Sequence, residues 1–129
     1  MTDITEVRQP LAKLLGIEIT EASKERVRGR LFVKPEICTA WETIHGGTVM
    51  SFADVLGATG AYLNLPEGAS TTTMESKTNF IGGAKVNTYV IAESTPIHIG
   101  KRTSVWQTRI TQEEGGKLVA VVTQTQMVL

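Results

Sequence analysis

The stretch Thr39–Leu63, TAWETIHGGTVMSFADVLGATGAYL, decides the fold that we expect for this chain. Between Thr43 and Pro66 the only formal charge is Asp54, if His45 is neutral. The segment consists mainly of small and apolar residues, which predicts a buried helix beginning near the glycine pair that follows His45. A carboxylate midway along a buried helix is costly, because an ionised group away from water must be paired, hydrogen-bonded or neutralised. Asp54 therefore needs a structural or chemical reason.

The composition indicates one globular domain over residues 1–129. The chain has 129 residues and 41% hydrophobic content, which is enough to form a core. Its 13 basic and 13 acidic residues balance, and this argues against nucleic acid as the main partner. The sequence contains no run of Lys and Arg residues that would predict a membrane-binding surface patch. The low net charge also gives little protection against self-association, so it is compatible with an oligomer.

Three observations predict a cytoplasmic protein without a membrane segment. Cys38 is the single cysteine, which excludes an intrachain disulfide and fits a reducing compartment. The N-terminal residues MTDITEVRQP lack the basic and apolar regions of a signal peptide. The window from Thr43 to Pro66 approaches membrane-spanning length, but the central Asp54 and the many small residues argue against a transmembrane helix.

The rest of the chain is predicted to be mainly β structure. Proline, glycine and alternating apolar residues place the boundaries. The expected order is a helix over 6–15, strands over 17–21 and 25–33, the long helix, and strands over 70–80, 85–97, 102–111 and 117–129. This order predicts an α+β fold in which a curved antiparallel sheet wraps around a long central helix. Gly57 and Gly60 would let strands approach that helix closely, and Trp106 is expected to pack in the core.

Asp54 and the glycine pair each have two interpretations. Asp54 is either a structural acid satisfied by backbone or hydroxyl donors, or a nucleophile or general base whose reactivity is set by burial. Gly46-Gly47 is either a tight turn into the helix or an oxyanion site. The second interpretation arises because the first amides of a helix are unpaired and point toward an approaching anion.

A distance argument connects these residues. Gly46 and Asp54 are eight residues apart, which is about 12 Å along a straight helix. A carbonyl polarised at Gly46 therefore cannot reach Asp54 of the same chain. If both residues serve one reaction, two chains with antiparallel helices must share the site. The separation also argues against a His45–Asp54 dyad, so His45 is interpreted as a group that orders its loop through hydrogen bonds.

No metal or nucleotide signature is visible in the sequence. Two isolated histidines and one cysteine give no ligand spacing, so we expect no metal. The segment Gly57–Gly60 fits neither the dinucleotide fingerprint nor the P-loop pattern. No serine has the setting of a nucleophile elbow.

Two motifs resemble a known family. His45-Gly46-Gly47 followed by Asp54 resembles the HGG-x6-[DE] motif of hotdog-fold acyl-CoA thioesterases, especially the subgroup typified by the phenylacetate-pathway thioesterase. The segment 98–107, HIGKRTSVWQ, resembles the G-[KR]-R-x3-W strand start of that subgroup, and residues 116–120 continue the match. The similarity covers nearly the whole chain.

The resemblance implies a hotdog fold and hydrolysis of an acyl-CoA thioester without metal or other cofactor, coenzyme A being part of the substrate. It implies a homodimer with a continuous sheet and composite active sites, often doubled to a tetramer. Asp54 would be the nucleophile or general base, and the Gly46 amide of the other chain would polarise the thioester carbonyl.

Two positions depart from the family's pattern. The family often has Gln or Asn six residues before the HGG histidine, where this chain has Thr39, whose shorter hydroxyl could act through a water. Some relatives carry Ser or Thr one turn after the acid, where this chain has Ala58, and the task of holding water then falls to Thr72 or Thr73. The catalytic set expected is Asp54, Gly46, His45 and Thr39. The expected substrate and CoA contacts are Gly47, Thr72, Thr73, Gly82, Gly83, His98, Lys101 and Arg102. Alternatively, the last three form an ordinary basic hairpin tip and Gly82-Gly83 a simple turn.

The leading hypothesis is an acyl-CoA thioesterase for a small aromatic or medium-chain acyl group. A hotdog hydratase or dehydratase is the second enzymatic interpretation, although His45 within HGG is an unfavourable setting for it. A non-catalytic acyl-CoA-binding oligomer is the third, kept open by Thr39 and Ala58.

Overall fold

In the computed structural model, which describes residues 9–129, one long helix lies against a curved antiparallel sheet. The elements are α1 (Pro10–Leu15), β1 (Glu18–Ala22), β2 (Val27–Phe32), α2 (Gly46–Leu63), β3 (Thr71–Phe80), β4 (Tyr89–Ile99), β5 (Thr103–Gln112) and β6 (Leu118–Val128). A single 3₁₀ turn, Pro35–Ile37, precedes α2. The predicted order of elements is confirmed. The first helix was predicted over 6–15, and its residues 6–8 lie outside the described part of the chain.

One predicted boundary is wrong. The sequence predicts that β4 starts at Lys85, but the strand begins at Tyr89. Asn87 has a left-handed backbone (φ 65°) and the Thr88 hydroxyl donates to the Lys85 carbonyl at 2.6 Å, so these residues form a turn. Asn tolerates this conformation better than most residues, which explains why the turn needs no glycine.

The six strands form one sheet in the order β1-β2-β4-β5-β6-β3, with every neighbouring pair antiparallel. The connection from β2 to β3 contains α2, which carries the chain across the sheet to its far edge. As a result β6 is the only strand of the described part of the chain that pairs with β3. Both hydrogen-bonding edges of the sheet, β1 and β3, are therefore open within the described residues.

The core lies between α2 and the sheet. Most of α2 is buried, and Phe52, Ala53 and Leu56 are fully inaccessible. Two glycines allow close contact. A Cβ at Gly57 would lie 2.3 Å from the Gln124 side chain, and one at Gly60 would lie 2.5 Å from the ring of Trp106, which is fully buried. The predicted packing roles of these glycines and of Trp106 are thus confirmed.

Within residues 9–129, no helix combines the length and the hydropathy needed to span a membrane.

Candidate active site

Asp54 lies midway along α2 and reaches the inner face of the sheet at β3 and β6. Its Oδ1 atom accepts a hydrogen bond from the Thr73 hydroxyl at 2.6 Å and from the Gln124 side-chain amide at 3.2 Å. Oδ2 makes no hydrogen bond to another residue in the described range. The two oxygens therefore differ: one is held and the other is free.

Gln126 and Thr71 form a second layer of hydrogen bonds next to these donors. The Gln126 amide donates to the Thr73 hydroxyl at 2.6 Å, and the Thr71 hydroxyl lies 3.1 Å from Gln126 Oε1 and 2.9 Å from the Met127 carbonyl. Since Thr73 accepts from Gln126, its own proton is directed to Asp54. The result is a chain of side-chain hydrogen bonds that ends at one carboxylate oxygen.

Asp54 is less buried than the sequence predicted. Its side chain is partly exposed in the single chain, whereas we expected a carboxylate enclosed on most sides. The reason is topological, because Asp54 faces the edge strand β3, and no further strand among residues 9–129 lies beyond it. The acid is thus open on the side where the sheet ends.

The N-terminus of α2 offers a free amide. His45 is the N-cap, and its Nδ1 accepts the Gly47 N–H at 2.8 Å, so His45 orders the turn as expected. The N–H groups of Thr48 and Val49 go to the His45 carbonyl. The Gly46 N–H makes no hydrogen bond to another residue of the described part of the chain. An unpaired amide at the positive end of a helix can bind an anion or a polarised carbonyl.

The structure separates several residues that the sequence analysis grouped together. Gly46 and Asp54 lie on one unbroken helix, about 12 Å apart. Thr39 lies in the loop before α2, where its hydroxyl is 3.0 Å from that of Thr43 and accepts the Trp41 N–H at 3.2 Å. Of the two candidate threonines on β3, only Thr73 bonds to Asp54, whereas Thr72 is exposed on the other face of the strand.

Gly82 and Gly83 follow β3, at the same end of the sheet as the N-terminus of α2. The Gly82 N–H donates to the Val119 carbonyl at 3.0 Å, and a Cβ at Gly82 would lie 2.8 Å from the Leu118 carbonyl oxygen. Close backbone packing therefore accounts for Gly82. The Gly83 carbonyl accepts a hydrogen bond from Gln112.

The basic β4–β5 hairpin lies at the opposite end of β3. His98, Lys101 and Arg102 are all exposed there. A cavity of about 530 Å³ opens between this hairpin and the C-terminus of α2. Its lining is Asn64, Leu65, Pro66, Ile99, Gly100, Lys101 and Val128. Lys101 thus lines a cavity, and the hairpin lies far from Gly82 and Gly83 of the same chain.

Gln124 and Gln126 belong to the hydrogen-bonded surroundings of Asp54, and neither was predicted from the sequence. Along β6 the side chains of Ala120, Val122, Gln124 and Gln126 share the buried face. Two amides on an otherwise apolar face were the available signal, since buried polar side chains need partners.

Three buried polar atoms lack a hydrogen-bond partner in the described chain: Gln124 Oε1, Ser76 Oγ and Thr78 Oγ1. Ser76 lies opposite Gln124 in the β3–β6 register, and Thr78 follows on the same face of β3. Unpaired buried groups are rare, so this row marks a polar strip that continues from Asp54 along the edge strand. Among the described residues, no three His, Cys, Asp or Glu side chains are close enough to hold a metal ion together.

Comparison with known proteins gives consistent matches. The pattern of the Thioesterase superfamily matches residues 42–119. The chain is 30% identical over 105 residues to 1,4-dihydroxy-2-naphthoyl-CoA thioesterase 2 of Arabidopsis thaliana, a match that covers 81% of this chain and 65% of that protein. It is 28% identical over 103 residues to 1,4-dihydroxy-2-naphthoyl-CoA hydrolase of Listeria monocytogenes, which covers 80% and 83% of the two chains.

Solved structures agree with these matches. A thioesterase from Haemophilus influenzae superposes with a TM-score of 0.86 at 28% identity, covering 92% of this chain and 82% of that one. The PaaI protein of the phenylacetic acid degradation operon of E. coli superposes with a TM-score of 0.86 over 95% of this chain and 86% of that one. At 21% identity, the second likeness concerns the fold alone. The expected hotdog fold is confirmed.

Proposed function

Because the chain belongs to the thioesterase superfamily, a family of thioester hydrolases, we propose that it is an acyl-CoA thioesterase. The reaction is R–CO–S–CoA plus water, giving a carboxylic acid and CoA. The observation that carries the proposal is the Asp54 carboxylate, with one oxygen held by two donors and the other free at the open edge of the sheet. The acyl group is small and aromatic, or of medium length. The names of two relatives support the aromatic choice, since both refer to a naphthoyl thioester.

The active site is shared between two copies of the chain. Thr73, near the start of β3, bonds to Asp54, and the ring of Phe80 at its end lies 3.2 Å from where a Gly46 Cβ would be. The acid and the free amide are therefore attached to opposite ends of one edge strand. If β3 pairs antiparallel with its copy, the end of one strand meets the start of the other. The partner's Gly46 then approaches Asp54.

The same pairing accounts for the other separated residues. It brings the glycine turn after the partner's β3 toward the basic β4–β5 hairpin, which carries His98, Lys101 and Arg102. Cations suit the phosphates of CoA. The cavity between this hairpin and the end of α2 supports placing the nucleotide half of the substrate there.

In the reaction, the thioester carbonyl oxygen accepts a hydrogen bond from the partner's Gly46 N–H, which stabilises the negative charge that develops on it. The Asp54 carboxylate either takes a proton from the water that attacks the carbonyl carbon, or attacks that carbon itself. On both routes the carbon–sulfur bond breaks and the CoA thiolate leaves. On the first route the proton passes from Asp54 to the thiolate and the carboxylic acid is released. On the second route water hydrolyses the mixed anhydride formed on Asp54, which releases the carboxylic acid, restores the carboxylate and supplies the proton that the thiolate takes up.

Replacing Asp54 by Asn tests the assignment. We expect Asp54→Asn to lower kcat on the order of 10³-fold or more, since the carboxylate that drives the reaction is lost. Thiol release from a panel of aromatic and medium-chain acyl-CoAs is measured with a chromogenic thiol reagent, and circular dichroism checks the fold.

Glu18→Gln is the matched control, because Glu18 is an exposed acid on β1, at the other edge of the sheet. Its activity should equal that of the wild type. A folded Asp54→Asn protein with wild-type turnover, or a wild-type protein that releases no thiol from any acyl-CoA, contradicts the proposal.

A further inference from the structure

We propose that Gln124 is a positioning residue for the Asp54 carboxylate, which it orients so that Oδ1 is fixed and Oδ2 is the reacting oxygen. This inference rests on the proposed function. Gln124 belongs to neither of the two sequence motifs of the site. It lies on β6, 70 residues along the chain from Asp54.

The first observation is the geometry at Oδ1. Gln124 Nε2 and Thr73 Oγ1 both donate to this one oxygen, at 3.2 and 2.6 Å. The terminal torsion of an aspartate is broad, so a carboxylate without such contacts samples many orientations. Two donors on the same oxygen restrict this rotation and leave the second oxygen available for the substrate or for water.

The second observation is that the arrangement is unfavourable as mere packing. Gln124 is fully buried, yet its Oε1 has no partner among the described residues. A buried polar atom without a hydrogen bond is destabilising, and an apolar side chain of similar shape would avoid this. Gly57 is also committed to the arrangement, since a Cβ there would lie 2.3 Å from the Gln124 amide. Two positions are therefore adapted to an amide that stability alone does not favour.

The third observation is the lack of alternatives around Asp54. One turn further along α2 stands Ala58, which has no polar side-chain atom. Within residues 9–129, Thr73 and Gln124 are the only side chains that donate to the carboxylate. Gln126 acts one step behind them, because its amide fixes the direction of the Thr73 hydroxyl. The orientation of the acid thus depends on the two buried glutamines of β6.

The test replaces Gln124 by Met, which keeps the length and most of the volume but has no donor. We expect Gln124→Met to lower kcat by about 10- to 100-fold. The reason is that the Asp54 carboxylate would move away from its reactive position, and a displacement of about 1 Å can cost about 100-fold in rate. KM should stay within about threefold, because the substrate contacts are unchanged. The thermal midpoint should stay the same or rise, since the unpaired Oε1 is removed. Lost activity at undiminished stability separates positioning from a structural role.

Gln107→Met is the matched control. Gln107 is on β5, and among the described residues its side chain makes no hydrogen bond to the acid or to the glycine turn, so its kcat should equal that of the wild type. The proposal is overturned if Gln124→Met keeps wild-type kcat, or if its kcat and thermal midpoint fall together.

If Gln124→Met does not fold, Gln124→Leu provides the equivalent test, since leucine also lacks a donor and needs less room beside Gly57. We expect Gln124→Leu to lose kcat at an undiminished thermal midpoint. A folded Gln124→Leu protein with wild-type kcat overturns the proposal. Failure of the two hypotheses is distinguishable: an inactive Asp54→Asn protein beside a fully active Gln124→Met protein refutes the positioning role alone. A wild-type protein without thioesterase activity refutes both.

Discussion

Glycine residues on α2 set how closely the helix approaches the sheet. At Gly60 the neighbour is the ring of Trp106, which is fully buried and donates through Nε1 to Ser104 at 3.0 Å. A ring held in this way cannot move aside without moving its strand. Gly60 is therefore required for the packing of the helix against the sheet and takes no part in the chemistry at Asp54.

We expect Gly60→Ala to lower the free energy of unfolding by about 1–3 kcal/mol, because overpacking displaces a rigid buried ring. Urea denaturation measures the change. Gly83→Ala is the control, since a Cβ there would meet only the Thr43 methyl group at 3.9 Å, and its stability should be close to that of the wild type. Equal unfolding midpoints for the two variants would show that Trp106 accommodates the methyl group.

At the same scale, the sequence predicted the acid but not its surroundings. Asp54 could be singled out because it is the one certain charge in a long apolar segment. Of its two donors, Thr73 was named only together with Thr72 and only through the family resemblance, and Gln124 was not named, since they are 19 and 70 residues away and meet Asp54 only through the position of α2 on the sheet. The solvent exposure of Asp54 could not be predicted either, because it depends on which strand forms the edge of the sheet.

Among the elements, β3 has the largest influence on the proposed site. If the partner's Phe80 lies opposite Met74, next to Thr73, the two copies of β3 cross at Lys77, which then lies opposite its own copy. Directly opposite residues of an antiparallel pair have Cα atoms about 4.5–5.5 Å apart, which is within disulfide range.

We therefore expect Lys77→Cys to form a disulfide-linked dimer on mild oxidation, detected on a non-reducing gel. The background is Cys38→Ser, which removes the only native thiol, whose pKa is raised by burial. Thr20→Cys, exposed on β1 at the opposite edge, is the control and should stay monomeric on the gel. Cross-linking through position 20 instead of 77 would place the interface at the wrong edge.

The elements themselves were largely predictable, whereas their arrangement was not. Turn signals and alternating side chains are local, so the boundaries of α2 and of most strands followed from the sequence. The order β1-β2-β4-β5-β6-β3 depends on pairings between distant segments. The predicted start of β4 was wrong because Asn87 adopts a left-handed backbone conformation, which the neighbouring residues do not indicate.

For the whole molecule, the decisive question is whether one active site needs two chains. Complementation of two inactive variants answers it. Asp54→Asn lacks the acid, and Gly46→Pro lacks the N–H. Proline suits this position, because Gly46 is the first residue of α2 and the preceding His45 is extended.

We expect each variant alone to be inactive and co-expression of the two to restore about a quarter of the wild-type activity. Half of randomly assorted dimers are mixed, and each mixed dimer has one intact site of two. The measurement is thiol release by the co-purified protein, compared with the two variants mixed after separate purification. Absence of recovery, with mixed dimers shown by mass spectrometry, would place the whole site within one chain.

The open edge of β3 also affects a chain that has not yet met its copy. Met74 and Phe80 on this strand and Ile81 just after it are exposed, at 54%, 56% and 59%. An unpaired edge with apolar side chains attracts other strands, so single chains are prone to aggregation and to removal by chaperones and proteases. Pairing is second order in chain concentration, whereas removal of single chains is first order. The cellular level of assembled protein should therefore rise more steeply than its rate of synthesis.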